Sequence, residues 1–487
     1  MTNPSLPIDS ARGRQNRAYA LDALRGFAIL AMILSSLLPE GANALPAWMY
    51  HAQVGPPHFE WSNLAYGITW VDLVFPFFLF SMGAAFPLAF ARRMDSGGPK
   101  CRLALFILER GFLLAFFALY VMAVRPGVLS KHPSAATWLL GLLGFALLFP
   151  ILTRLPEKWP VAVRWGIRFI GWLGAVLLLK LVRYPGGSDF DLDRSDIIII
   201  VLTNMAVFGS IAWILTRNHL LPRLGILGIL LAIRLSNMPV PAHGWVTDIW
   251  NFSPWWASWI YKLYYLQYLC IVIPGTVAGD LILQWTRQPA SLPAAKTWPV
   301  SRLATITFLM FFFVLELLVG LKSRWLVPTT LLTFALCGLG WWLLSKPGDE
   351  TERLYQRLFF WASYWVILGL FFEPYEGGIR KDKATVSYYF VTSGLAICAF
   401  IGFSLIIDVF KRRRWLQLLI DNGQNPMIAY AGINNFIIPI LALTGLDALL
   451  TRWAVTPWRG FFQGLFVTFL MAITVSICTR LRIFWRT

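Results

Sequence analysis

Charge is the scarcest feature of this sequence, and its scarcity narrows the class of protein. Only 14% of the 487 residues are charged, whereas 57% are hydrophobic. A soluble chain normally carries about a quarter of its residues charged, so a soluble enzyme is excluded. Cysteine is also sparse: Cys101, Cys270, Cys337, Cys398 and Cys478 are scattered, mostly inside apolar blocks. An odd, dispersed set gives no disulfide framework, and no pair has metal-ligand spacing, so no metal site is expected. Acidic residues number 24 against 42 Lys and Arg, a net charge of +18. That excess does not call for nucleic acid as a partner, because the positive charge gathers at alternate ends of the apolar blocks. A cleavable signal peptide is not expected either. Residues 1–18 are polar and basic, and no small-residue cleavage site follows the first apolar block.

Long apolar runs are what the chain does have. Leu21–Leu38, Ile68–Phe90, Leu103–Val124, Ile197–Leu215, Leu303–Leu321 and Val391–Phe410 can each cross a bilayer. Barrel strands would alternate apolar and polar residues, and these blocks are apolar all round, so they are helices. The expected fold is all-α: a polytopic integral membrane helix bundle with about 11–14 transmembrane helices. The count turns on Leu221–Asn237, Trp255–Gln284 and Asn425–Thr444, where Pro, Gly or polar residues interrupt the run. Residues 1–18 read as a cytoplasmic tail and residues 19–487 as one transmembrane domain. Arg12, Arg14, Arg17, Arg92, Arg93, Arg154, Arg164, Arg168, Lys296, the run Lys411–Arg414, Arg480 and Arg486 fall on one side if alternate loops are assigned together. The positive-inside rule makes that side the cytoplasm and puts both termini there. The opposite side carries the segments Pro39–Gly67, Arg183–Asp196 and Glu373–Ser387. Polar, Gly/Pro-bearing loops of this kind are where binding and catalysis concentrate.

Polar residues inside apolar blocks need a reason, since each charge there costs about 2.5–3.5 kcal/mol on insertion scales. Asp22 and Arg25 are three apart on one helical face and can pair, either at the interface or at a site. Glu109 and Arg110 point different ways and are expected to find partners on other helices. Glu316 lies deep in its block. Asp72 opens the second block, where it either caps the helix or serves a site. Histidine is rare: His51, His58, His132, His219 and His243. Two of the five fall in the loop just ahead of Asp72. A lone histidine is ordinarily a surface or core residue. Beside a carboxylate it can accept a proton from an amine or hydroxyl, and the carboxylate can orient the ring.

Several local strings together resemble the heparan-α-glucosaminide N-acetyltransferase family and its bacterial relatives. They begin with Leu21-Asp22-Ala23-Leu24-Arg25-Gly26 and continue with His51-Ala52 or His58-x-x-Trp61. The run from Asp72-Leu73-Val74-Phe75-Pro76 to Phe80, with Met82-Gly83, follows. Downstream, Arg110, Pro274-Gly275-Thr276 with Gly279, Lys383 with Ser387 and Thr392, Asn425–Tyr430 and Ile483–Arg486 also match. The resemblance implies a multi-helix acyltransferase of the bacterial inner membrane. Acetyl-CoA would be the acyl donor, entering from the cytoplasm, and the acceptor would be an amino sugar or glycan on the far side. It implies a catalytic histidine, His51 or His58, with Asp72 beside it. It further implies donor contacts from Arg25, Arg110, Lys383 and Asn425. Asp22, Ser36, Trp61 and Glu316 would serve substrate or structure. Ser36 stands where the family carries asparagine, so the amide's two donors are missing there.

This chemistry needs a water-accessible passage through the bundle, with Pro274-Gly275 breaking a helix at membrane depth to line it. The competing reading is a transporter or flippase for a sugar or lipid-linked glycan, for which buried Glu109 and Glu316 would be equally apt. The bilayer is a partner in either case, and the sequence leaves a homodimer open.

Overall fold

A computed structural model describes residues 18–486 apart from 42–43, 63, 98, 237–243 and 289–296. The basic tail, Lys296 and His243 therefore lie outside the described residues. Helices account for nearly all regular structure. The principal ones are α1 Tyr19–Ser35, α2 Trp70–Asp95, α3 Lys100–Ala123, α4 Ala135–Leu152, α5 Val161–Leu181, α6 Ile197–Thr216 and α7 Leu220–Ser236. The series continues with α8 Leu269–Arg287, α9 Val300–Lys322, α10 Leu326–Leu343, α11 Glu350–Tyr375, α12 Val386–Ser404, α13 Gln417–Gln424, α14 Pro426–Gly432 and α15 Pro457–Arg480. The described residues hold no strand, only an isolated bridge between Thr153 and Trp485.

Twelve stretches are long and apolar enough to cross a membrane, the polytopic bundle expected from composition. Helices α1 and α7 are shorter, at 17 residues each. Side-chain contacts decide the status of α7. His51, ahead of α2, touches Asp382, ahead of α12, so both helices start at the same end of the bundle. An even number of traverses must separate those starts. Nine of the twelve long spans lie between them, and counting α7 makes ten.

Helix α12 is the axis of the molecule. Almost all of it is buried, and it packs against α1, α2, α8, α9 and α11. In a bilayer, apolar burial gives little drive for helix association, so close backbone approach matters instead. Glycines supply it at two crossings. A β-carbon at Gly83 of α2 would overlap the Val272 carbonyl of α8, and one at Gly275 or Gly279 would overlap the Phe80 or Ala84 carbonyl of α2. Gly26 and Gly423 similarly let α1 and α13 cross, with the Asp22 carbonyl against Gly423. Pro274-Gly275 therefore does not break its helix as expected. Helix α8 continues through Pro274, and the glycine's role is contact with α2.

The chain breaks instead just ahead of the penultimate apolar span, Pro426–Leu443. Between α13 and α14, Asn425 donates from Nδ2 to the Ile483 carbonyl at 2.6 Å and accepts from Trp485 N at 3.1 Å. This side chain satisfies the freed backbone of the C-terminal segment, whose Trp485 is buried among Phe117, Phe145 and Phe149. Asn425, matched to a donor-binding position, is thus occupied within the protein.

Candidate functional site at the α2 and α12 starts

The start of α2 is fixed by Asp72, whose side chain is fully buried. Its Oδ2 accepts from Thr69 N at 2.9 Å, Ala52 N at 3.2 Å and Thr69 Oγ1 at 3.2 Å. The bond to Thr69 N, three residues back, is the capping interaction of a helix N-terminus. The bond to Ala52 N draws the preceding loop onto it, and the Tyr388 hydroxyl donates to the Asp72 carbonyl at 2.8 Å. Oδ1 is left facing His51 Nδ1 at 3.5 Å and Lys381 Nζ at 3.9 Å. Asp72 therefore both caps the helix and faces the site.

His51 lies between two carboxylates. Nε2 is 2.9 Å from Asp382 Oδ2, and Nδ1 accepts the Gln53 backbone N–H at 3.1 Å. By that hydrogen bonding, the proton of the neutral ring sits on Nε2, toward Asp382. The histidine hydrogen bond holds the Asp382 carboxyl below the usual carboxylate range, against partial burial that opposes it. His58 is exposed and stands apart from this cluster. Of the two histidines the sequence leaves open, only His51 is joined to Asp72.

Two segments more than 300 residues apart in sequence build the surroundings. Gly67 N donates to the Ile379 carbonyl at 2.9 Å, and Lys381 N donates to Gln53 Oε1 at 3.3 Å. Gln53 Nε2 bonds the Ala65 and Gly67 carbonyls, and Lys322 Nζ bonds the Ala52 carbonyl. On the other side, Glu376 accepts from Val386 N and Ser387 N at 2.8 and 2.9 Å, capping α12. A cavity of about 710 Å³ opens beside this frame. Trp61, Trp250, Tyr264 and Tyr268 form its apolar surfaces, while Asp382, Lys381, Lys383, Glu376 and Arg234 supply charge. Sequence reasoning missed Asp382, Lys381 and Arg234. Only the polar character of Glu373–Ser387 signalled Lys381 and Asp382, and Arg234 lies in α7; no local spacing links either segment to His51.

The other expected residues scatter. Trp61 and Lys383 line the cavity. Arg25 bonds the Gly423 and Ser81 carbonyls and lies 3.8 Å from Asp22, tying α1 to α2 and α13. Ser36 bonds back to the Ile33 carbonyl at the end of α1. Glu316 accepts from Thr333 Oγ1 at 3.3 Å, between α9 and α10. Arg110 lies at the opposite end of the bundle, in a second cavity of about 870 Å³ with Glu109, Arg93, Arg154, Arg164 and Arg168. The four residues matched to donor contacts therefore do not share one site.

Nor do the two cavities form the expected continuous passage, since they share no lining residue. A turn inward from Asp72 on α2, and just past Leu113 on α3, lies an apolar pocket of only about 30 Å³, lined in part by Phe75, Phe78, Leu114, Phe117 and Met427. Phe75 packs edge-on against Tyr268 of the first cavity, at 5.5 Å between centroids. No cluster suited to a metal ion occurs among the described residues.

No curated protein matches this chain. The family described as Domain of unknown function (DUF5009) matches residues 17–282, more than half of the length, and the chain belongs to that family. The matched region carries His51, Asp72 and Arg110, and Asp382 lies beyond it.

Proposed function

We propose that this member of the DUF5009 family is a membrane-embedded acyltransferase. It would move an acyl group, such as acetyl, from acyl-CoA to an amino sugar or glycan at the His51 end. The observation that carries this reading is an imidazole held between Asp72 and Asp382 beside a cavity walled by four aromatic rings. Aromatic faces suit the apolar faces of sugar rings, and carboxylates suit an amino group. In the proposed step the acceptor nitrogen attacks the thioester carbonyl carbon. The C–N bond forms, the C–S bond breaks, and the thiolate leaves to be protonated. For the transfer the ring proton moves to Nδ1, toward Asp72 Oδ1, which frees Nε2. The Asp382–Nε2 pair then accepts the proton that the amine gives up, Asp382 being the member that lines the cavity. Buried Asp72 balances the positive charge on the ring. By the placement of basic residues, the arginine-rich end faces the cytoplasm, with both termini there, in a bacterial inner membrane. A polyanionic donor would be drawn to that end, and the apolar pocket around Phe75 would have to open for its thioester to reach His51.

The separation of the two cavities favours a second reading, a transporter or flippase for a sugar, since closed access between opposite ends is what alternating access requires. One experiment separates the two. Purified protein receives acetyl-CoA and glucosamine, and thiol release is followed. Transferase activity gives acceptor-dependent thiol, lost in His51→Ala. Absence of thiol release, together with exchange of labelled sugar across vesicles, establishes transport and removes the transferase reading.

A further inference from the structure

The cavity at the Arg110 end lies on the side from which an acyl donor would come, but none of its residues takes part in the proposed step, and its charge is unbalanced. Arg154 pairs with Glu157 at 2.7 Å. Arg168 bonds the Pro150 and Thr153 carbonyls at the end of α4, and Arg93 lies 3.7 Å over the Phe106 ring. Arg110 and Arg164 are left. The Nε of each is buried without a hydrogen-bond partner, and Arg25 and Arg93 add like charge beside Arg110. Buried, unsatisfied guanidinium N–H groups are costly unless a ligand meets them. The start of α5 adds to the demand. Pro160 precedes it with no side-chain cap, so its first-turn N–H groups remain free at Val161, which also lines the cavity.

The cavity also has a lipid-facing side. Helix α5 is the least buried of the long apolar helices and packs on α4, barely touching α3. Trp165 and Phe169 on its cavity side are 71% and 66% exposed. A cationic pocket flanked by exposed aromatic rings, at the end of a membrane helix, fits an amphiphile with an anionic head better than a fully soluble ion. We propose that this cavity binds the phosphate headgroup of an anionic membrane lipid between Arg110 and Arg164, with its acyl chains along the exposed face of α5. This assignment is independent of the transferase reading.

Native mass spectrometry of the purified chain tests it with phosphatidylglycerol and phosphatidylcholine as probes. The wild type should retain phosphatidylglycerol in preference. The variant Arg110→Gln/Arg164→Gln should lose that retention roughly tenfold, in keeping with charge-assisted contacts of a phosphate to two arginines. Arg164→Gln alone, on the outermost helix, should lose part of it. Arg183→Gln, at the opposite end and paired with Asp189, should lose none. Melting in phosphatidylcholine gives the folding control. Undiminished phosphatidylglycerol retention by the folded variants would overturn the proposal. Displacement of the lipid by millimolar pyrophosphate or CoA would also overturn it, and would assign the cavity to a soluble polyphosphate.

Discussion

Replacing Asp72 separates its two roles. In Asp72→Ala the Thr69 and Ala52 backbone N–H groups lose their acceptor in a fully buried place. The Thr69 hydroxyl keeps the Tyr50 carbonyl at 2.7 Å. Two orphaned donors cost about 1–3 kcal/mol each, and removal of a buried charge returns part of that, so a net loss of about 3 kcal/mol is expected. Asp72→Asn keeps one oxygen for both donors and points an amide N–H at His51 Nδ1, which already accepts from Gln53. Its stability loss should stay within about 1 kcal/mol. Its acyl transfer should nevertheless fall by roughly 10²–10⁴, because the charge that would stabilise a protonated ring is gone. Thermal melting in detergent and thiol release from acetyl-CoA give the two readouts. If the alanine variant melts like wild type, the hydrogen-bond hub is misread. If the asparagine variant keeps full activity, Asp72 has no electrostatic part in the reaction.

Three more outcomes are expected. His51→Ala should abolish transfer while His58→Ala, at an exposed position, leaves it within about twofold, measured in the same thiol assay. Gly423→Ala should prevent stable assembly or cost about 3 kcal/mol or more by forcing α13 off the Asp22 carbonyl. Gly225→Ala on α7, where an added β-carbon meets nothing, should be neutral or stabilising by up to about 1 kcal/mol, and size-exclusion and melting compare the two. Asp382→Asn should remove under about 1 kcal/mol near neutral pH, since its side chain is half exposed. The Asp382 carboxyl is held low, so its stabilisation is fully present above the unfolded value of about 4 and lost as pH falls through the lower folded value. The melting difference from wild type should therefore persist at pH 5 and close only well below pH 4.

The membrane helices were legible because each long apolar run carries its own evidence. Helix α7 is the informative exception. Its run is short, with Pro222 and Arg223 near the start, and Arg223 is accommodated by Thr216, Thr276 and Asp280 on neighbouring helices. No local property reveals that pairing. Pro274-Gly275 misled in the opposite direction. A proline suggested a break, whereas the adjacent glycine was selected by contact with Phe80 across the interface. At the site, Asp72 was readable as a helix opener near two histidines. The choice between those histidines was not readable, since it depends on Ala52 N meeting Asp72 and on Asp382 meeting His51 in space.

The joining of residues 51–67 to residues 379–382 has a consequence for biogenesis. The first loop emerges from the ribosome long before its partner, so the early helices enter the bilayer with an unfinished histidine environment. The joined histidine environment is completed only after the eleventh helix has been inserted and its following turn has docked. Under the transferase reading, a prematurely terminated or stalled chain would sit in the membrane without activity.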